Sequence, residues 1–471
     1  MLFDAIAELK EYDELQLKKQ LAGMYFVRRL SVAKEYLYNL ILRSLRDIEP
    51  ATPSELVLTL IKDISILLDR RLYTQAKRKI RKAKELTTAY DLFGERYIIL
   101  ELEGYLPDTD RNELFKSLDE HLSEVNEVFK LGSFAESLRL LYEEKGKMRT
   151  VHDSLELSKI ISSFKQLKPE QLLTFGAKLR YHFGWARYFE ITQNHEGAYH
   201  SVRAIIDLYH TFPQHIQTEQ LGYVTSVMNY CTYQLLDGKT NNYQDDLQKV
   251  RDLKANKQMK AYIELLIFRF EILESLTKSD WRRIGKLYSR MPEVLEHYQK
   301  EAYSFGKDIR IEYHLYFAKA YFLQQRFDIA LDEVNNLLKL PSLKAYPYQE
   351  NNVRVLLLII HFELGNNSYL PYLIRSTYRS FLRRERLFEF ESCLLHYLSS
   401  LSRLKKQKDI LSSFEKLCSR IKIIATQPID REFLWREFYI DWLEKKIRDM
   451  KNNSPKSNPS LLKNNVKNHE A

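Results

Sequence analysis

Backbone punctuation is what this chain lacks. Its 471 residues hold 13 glycines and 12 prolines, about 5% together where an ordinary sequence carries roughly 12%. Sandwiches, propellers and collagen-like rods need frequent turns, and phosphate-cradling loops need glycine, so none of these suits the chain. Helix is what remains. From Ser54 to about Met450, amphipathic stretches of 12 to 20 residues alternate with brief polar joints such as Asn194, Asp237-Gly238-Lys239 and Gly365-Asn366-Asn367. No strand-like alternation interrupts them. With 45% hydrophobic residues, a chain of this length can bury a substantial core.

Both ends differ from this body. Residues 1–50 read as short helices leading into a longer one, with Leu30, Ala33, Leu37, Leu40, Ile41 and Leu45 on one face. Pro50 and Pro53 then punctuate the chain, with Ser54 as the expected N-cap and Glu55 in the first turn. Met1, Phe3, Ile6 and Leu9 are already in helical register, so an upstream segment is expected. Residues 451–471 hold six asparagines, two prolines and three aliphatic residues. Such a segment cannot bury enough apolar surface to offset its ordering entropy, and a disordered tail is expected. The expected organisation is a helical cap over 1–50, a helical body over 54–450 and a tail over 451–471.

Charge and cysteine content bound the partners and the compartment. Lys and Arg number 73 against 63 Asp and Glu, a net of +10, and the tail contributes +3 of it through four lysines and Glu470. This mild excess favours acidic partners or nucleic acid without selecting one. Cys231, Cys393 and Cys418 are odd in number and form no C-x-x-C pair, which argues against a disulfide framework or zinc knuckle and for a reducing interior. Asp4 and Glu8 interrupt the first apolar residues, unlike a basic leader. The longest aliphatic block, Val355 to Ile360, is six residues, far short of the ~20 that span a bilayer. A cytoplasmic chain without membrane contact is expected.

The body carries an internal repeat. In its best unit, Ile311 to Pro341, one helix presents Ile311, Leu315, Ala318 and Phe322. After a joint at Gln325-Arg326, a second presents Phe327, Ala330, Leu331, Val334, Leu337 and Leu338. Antiparallel helices approach closely only where a side chain is small, and Ala318 and Ala330 are the small residues here. The pattern returns at Tyr73, Ala76, Ile80 and Ala83, and at His195, Ala198, Val202 and Ile205. Ala76, Ala198 and Ala330 lie 122 and 132 residues apart, three pairs of about 40 to 44 residues in each interval.

Ala318, Tyr321, Phe327, Ala330, Val334 and Pro341 resemble the tetratricopeptide-repeat pattern, with Leu337 in place of its second alanine and the proline one place early. The longer spacing departs from the 34-residue unit of that superfamily. The stretch from Leu2 through Tyr12-Asp13-Glu14 to Tyr36-Leu37-Tyr38 and Arg43-Ser44-Leu45-Arg46 is similar to a family of bacterial helical-repeat proteins that brings no assigned activity. The expected fold is all-α: a tetratricopeptide-like α-solenoid of antiparallel helix pairs with an N-terminal helical cap.

No constellation points to catalysis. His195 and His200 are five apart, which turns the second imidazole about 100° past the four-residue spacing that brings two histidines to one zinc. There is no G-x-S-x-G, G-x-G-x-x-G or G-x-x-x-x-G-K sequence, and Asp245-Asp246 reads as a solvated helix start. A non-enzyme without metal or cofactor is expected.

The densest charge run, Lys77 to Lys84, turns Lys77, Arg78, Arg81 and Lys82 outward when Ala76, Ile80 and Ala83 face in. That geometry suits a phosphate backbone and equally a solvated outer helix. Arg379, Arg383, Arg384 and Arg386 form a second group, and Arg282, Arg283, Lys286 and Arg290 a third. Asp13 to Leu21, Gly23 and Arg29 to Leu45 also fit a helix-turn-helix with Arg28 and Arg29 at the recognition helix, although the apolar second helix reads as buried.

The repeat resemblance implies that first helices line a concave groove. By it, Arg180, Phe183 and Arg187 in one unit, and Glu312, Leu315, Lys319 and Phe322 in another, are exposed inner positions. Arg180 and Arg187 project in nearly the same direction and suit an acidic or C-terminal peptide; inter-helix salt bridges are the plainer use of the same residues. The lysine and asparagine carboxylate clamp of some relatives is not found there. The expected function is a non-enzymatic protein-interaction scaffold binding a peptide or partner helix. The alternative is a nucleic-acid-associated or regulatory protein using basic faces.

Overall fold

The computed structural model describes residues 1–9, 12–48, 52–148, 151–237, 243–301, 309–384, 386–401, 404, 406–426 and 438–452. Among the described residues every regular element is helical, with twenty-two α-helices. The chain divides into two compact units, Met1–Leu122 and Ser123–Ala471.

The first unit holds α1 (Leu2–Ala7), α2 (Glu14–Gln20), α3 (Leu30–Ile48), α4 (Pro53–Asp69), α5 (Tyr73–Ala89), α6 (Phe93–Glu103) and the start of α7 (Arg111–Lys145). Ala5, Leu17, Leu21 and Leu30 make one small core; Leu60, Ile64, Ala76, Ile80, Ala83, Ile99 and Leu106 make another. The start of α4 is capped earlier than expected. Thr52 is the N-cap and Pro53 opens the helix, while the Thr52 N–H donates to Glu55 at 2.7 Å and the Glu55 N–H to Thr52 Oγ1 at 3.3 Å. This is a capping box, and Ser54 reaches Glu95 instead. The expectation that α3 is buried is also corrected, since Val32 is 63% and Tyr36 71% exposed.

The second unit takes in the rest of α7 and α8 (Val151–Ile161). Five helix pairs follow: α9 (Phe175–Ile191) with α10 (His195–Thr211), and, after the short α11 (Gln214–Thr218), α12 (Gln220–Asp237) with α13 (Tyr243–Arg251), α14 (Lys257–Thr277) with α15 (Trp281–Glu301), α16 (Arg310–Leu323) with α17 (Phe327–Lys339), and α18 (Pro347–Glu363) with α19 (Leu370–Arg383). A sixth pair, α20 (Glu389–Leu401) and α21 (Gln407–Ile424), is followed by α22 (Tyr439–Asn452). Each pair also packs on the next, through α10 on α12, α12 on α14, α14 on α16, α17 on α18 and α19 on α20. One hydrophobic cluster consequently runs unbroken from Phe175 to Leu443. Residues 453–471 of the expected tail lie outside the described residues; Lys451 and Asn452 complete α22.

The pair at 311–341 forms as its pattern predicts, and Ala76, Ala198 and Ala330 are all fully buried. Leu338 departs from its stripe and is exposed. The tight reversals between paired helices share a device that residue types do not announce. Arg71, Asp91, Gln193, Ser279 and Gln325, none of them glycine, take φ between 50° and 63°. The next residue's N–H then donates back across the helix end: Leu72 to Leu67 O at 2.8 Å, Leu92 to Thr87 O at 2.9 Å, Asn194 to Phe189 O at 2.8 Å, Asp280 to Ser275 O at 2.8 Å and Arg326 to Tyr321 O at 2.9 Å. Each is the six-to-one bond of a Schellman turn. Among the described joints between paired helices, Gly365, between α18 and α19, fills this place with the usual residue, at φ 69°.

Buried carboxylates tie neighbouring pairs. Glu274 on α14 accepts from Tyr243 at 2.6 Å, Lys278 at 2.8 Å and Arg283 at 2.8 Å. Glu333 on α17 joins His314 at 2.6 Å and Tyr288 at 2.8 Å. Burial pushes the Glu274 carboxyl up, but the bonds from Lys278 and Tyr243 outweigh it and hold the group below the ordinary 4.5. The resulting stabilisation is present above pH 4.5 and is lost as pH falls through the lowered value.

Two outcomes are expected in thermal unfolding. Gln325→Val places a β-branched residue in the left-handed region and lowers stability by about 1–2 kcal/mol, while Gln325→Gly does not. Glu274→Gln lowers stability by about 1–3 kcal/mol at pH 7, and its difference from the native chain shrinks on acidification below pH 4.5.

Candidate functional site

First helices of successive pairs are bridged side by side. Tyr233 on α12 donates to Glu190 on α9 at 2.6 Å, and Arg269 on α14 pairs with Glu312 on α16 at 2.9 Å. The second half of α7 lies against this row. Its buried stripe of Leu131, Phe134, Leu138 and Leu141 repeats at helical spacing, and α9 meets Phe134 of that stripe where its own side chain is smallest, at Gly184. A Cβ on Gly184 would stand 2.2 Å from the Phe134 ring, which also meets Trp185 edge-on at 5.9 Å.

The expectation of an open groove at Arg180 and Arg187 is corrected here. Arg180 lies beside Gly132 of α7, and its Nη1 donates to its own helix at Gly176 O, 3.0 Å away. Arg187 forms an ion pair with Glu190 and stacks its guanidinium 4.6 Å from the Tyr142 ring. Burial works against the Arg187 charge, but Glu190 more than restores it and raises its proton affinity. Tyr142 also approaches Tyr348 on α18, with ring centroids 6.2 Å apart. The first and fifth pairs thus meet the same α7 tyrosine, whose hydroxyl is pushed up to about 12, by burial first and then by Glu190. Beyond α7, the Met148 N–H donates to Ile191 O at 2.9 Å, and buried Asp153 on α8 accepts from Arg386 at 3.0 and 3.3 Å. The α7–α8 segment therefore spans from α9 to the start of α20.

The other inner positions differ in burial. Phe183 is half-buried against the main core. Leu315 and Phe322, expected to be exposed, are buried, because Phe322 packs on Phe327 and Phe438 with ring centroids 5.2 Å away in each case. Lys319 is half-buried, with Nζ 5.9 Å from the Phe438 ring. Glu312 is spent on Arg269. Arg187 and Glu312 both act on Tyr142, whereas Leu315 and Phe322 belong to the buried core.

In the α5 run, Lys77 pairs with Asp108 at 2.6 Å, Lys79 with Asp63 at 2.7 Å and Lys84 with Glu103. Arg78, Arg81 and Lys82 are exposed and without a partner among the described residues. In the second cationic group, Arg384 is committed to Glu350 at 2.7 Å and Arg386 to Asp153, leaving Arg379 and Arg383 exposed. Arg375, missed in the sequence, continues their stripe one turn earlier. In the third, Arg283 belongs to Glu274 and Arg290 lies 5.8 Å from the Phe268 ring. Arg28 and Arg29 sit in a 3-10 turn, Tyr25–Arg29, ahead of α3 rather than within it.

No group of three or more His, Cys, Asp or Glu capable of holding a metal occurs among the described residues. His200 lies 3.9 Å from Glu196. The cysteines are free, and burial pushes the Cys231 thiol up to about 12, which keeps it protonated and poorly nucleophilic at neutral pH. No helix among the described residues is long and apolar enough to cross a membrane. Comparison with protein-family models, curated proteins and solved structures finds no match.

Proposed function

We propose that the chain is a non-enzymatic cytoplasmic scaffold, a tetratricopeptide-like solenoid whose first helices present a face for a helix or peptide of a partner protein. The observation that carries the proposal is α7 itself. A helix with a buried apolar stripe at Leu131, Phe134, Leu138 and Leu141 sets Phe134 against Gly184 and Trp185 of α9, and Arg187, paired with Glu190, stacks on its Tyr142. This is helix-in-groove recognition carried out within one chain, and a partner helix with a similar stripe would compete with α7 for the same small residues and arginines. The stacked pairs supply a long, rigid surface suited to such contacts.

A nucleic-acid-associated role is the second reading, favoured by the unpaired Arg78, Arg81 and Lys82 on α5. Six cations there would bring a steep salt dependence, but three already have carboxylate partners.

Affinity capture from native cells, read by mass spectrometry, tests the first reading. The native chain should retain a defined partner that Arg180→Ala/Arg187→Ala loses. Capture that survives this double substitution, together with salt-sensitive binding of generic RNA or DNA that depends on Arg78, Arg81 and Lys82, would replace the scaffold by the second reading.

A further inference from the structure

A cleft of about 500 Å³ on α18 and α19 is lined by Arg354, Arg375, Arg379 and Arg383 together with Tyr372 and Ser380, and no carboxylate among the described residues lines it. Arg375, Arg379 and Arg383 recur every fourth residue, so they form one stripe with about 6 Å of helix rise between successive members. All three are exposed and make no hydrogen bond or ion pair among the described residues. Arg354 faces them from α18. Glu350 holds it through Nε at 3.1 Å and Nη2 at 2.7 Å, which orients the guanidinium and leaves Nη1 outside that pair.

Two features of this cleft are costs to the fold. Like charges four residues apart on a helix repel. Ser380, 7% exposed, buries a hydroxyl oxygen that has no hydrogen-bond partner among the described residues, and an unmatched buried polar group is destabilising. A bound anion removes both at once, neutralising the arginine stripe and accepting from the serine.

We propose that the cleft binds an extended acidic segment of a partner protein, with carboxylates at alternate residues docking on successive arginines. Alternate side chains of an extended strand lie about 6.4–6.8 Å apart on one side, close to the rise between the arginines. Each guanidinium meets a carboxylate through two parallel N–H donors. Among the described residues Tyr372 is the one aromatic ring in the lining, which is not the series of rings on which successive bases of a nucleic acid would stack. The proposal rests on the scaffold reading and names the partner's chemistry, but it uses none of the residues on α9.

The test is fluorescence anisotropy on the full chain with a labelled peptide of alternating glutamate and serine, against a lysine-serine peptide and single-stranded DNA. The acidic peptide should bind, the lysine peptide should not, and added salt should weaken the complex. Arg379→Ser should reduce affinity about tenfold or more, and the combined Arg375→Ser/Arg379→Ser/Arg383→Ser variant should abolish binding. Arg379→Lys keeps the charge and the exposed surface, so its fold is not at risk, and it should still weaken binding by losing the fork. Ser380→Ala should weaken it severalfold.

Absence of peptide binding, binding indifferent to these substitutions, or tighter binding of DNA through the same arginines would overturn the proposal. Arg180→Ala/Arg187→Ala should leave peptide affinity unchanged. If the peptide assay fails while partner capture still depends on those two residues, the cleft is refuted and the scaffold stands; the opposite pattern refutes the α9 face alone.

Discussion

The second unit rests on one constraint: a pair of helices is too thin to bury the apolar residues on both of its sides. The pairs from α9 to α21 meet it by sharing, and the result is a single cluster from Phe175 to Leu443 instead of one core per pair. Stability in such a stack is a sum of pair terms and neighbour terms. The close approach inside a pair depends on small side chains, with Ala198 and Ala330 buried completely where large residues surround them. Ala76 plays the same part within the first unit.

The reversals make this approach possible with little glycine. A Schellman turn needs one residue in the left-handed region, and at five joints a residue other than glycine accepts that strain. The cost, about 1–2 kcal/mol per residue, is offset by the satisfied carbonyls and by the helix packing that follows. This is why a chain of so few glycines can still fold back on itself many times. Arg71, Asp91, Gln193, Ser279 and Gln325 share a backbone conformation and no side-chain chemistry, so a reader of residue types sees polar joints and not a repeated turn.

Legibility in the sequence followed the range of the interaction. Helix class and the α16–α17 pair are legible because a 3.6-residue apolar period is local; so is the Thr52-x-x-Glu55 capping box, although Ser54 is also an N-cap by residue type. The placement of α7 was not readable. Its stripe predicts that something covers it, but the covering surface comes from Gly184 and Trp185, some fifty residues later. A repeat pattern alone therefore leaves Arg180 and Arg187 on an open face. Phe322 was misjudged similarly, since Phe438 and Trp442, which bury it, lie more than a hundred residues away. The arginine stripe of α19 is legible in part: residue type groups Arg379 and Arg383 with Arg384 and Arg386, and the carboxylates of Glu350 and Asp153, distant in sequence, set the last two apart.

Shared burial has a direct signature in hydrogen exchange. Overpacking the α16–α17 crossing with Ala330→Leu and following amide protection across the second unit measures whether pairs depend on one another. The account predicts that protection falls together in α14 and α15, α16 and α17, and α18 and α19, because each contributes to its neighbour's core. Loss confined to α16 and α17, with both flanking pairs unchanged, would mean that each pair stands on its own and would contradict the shared core.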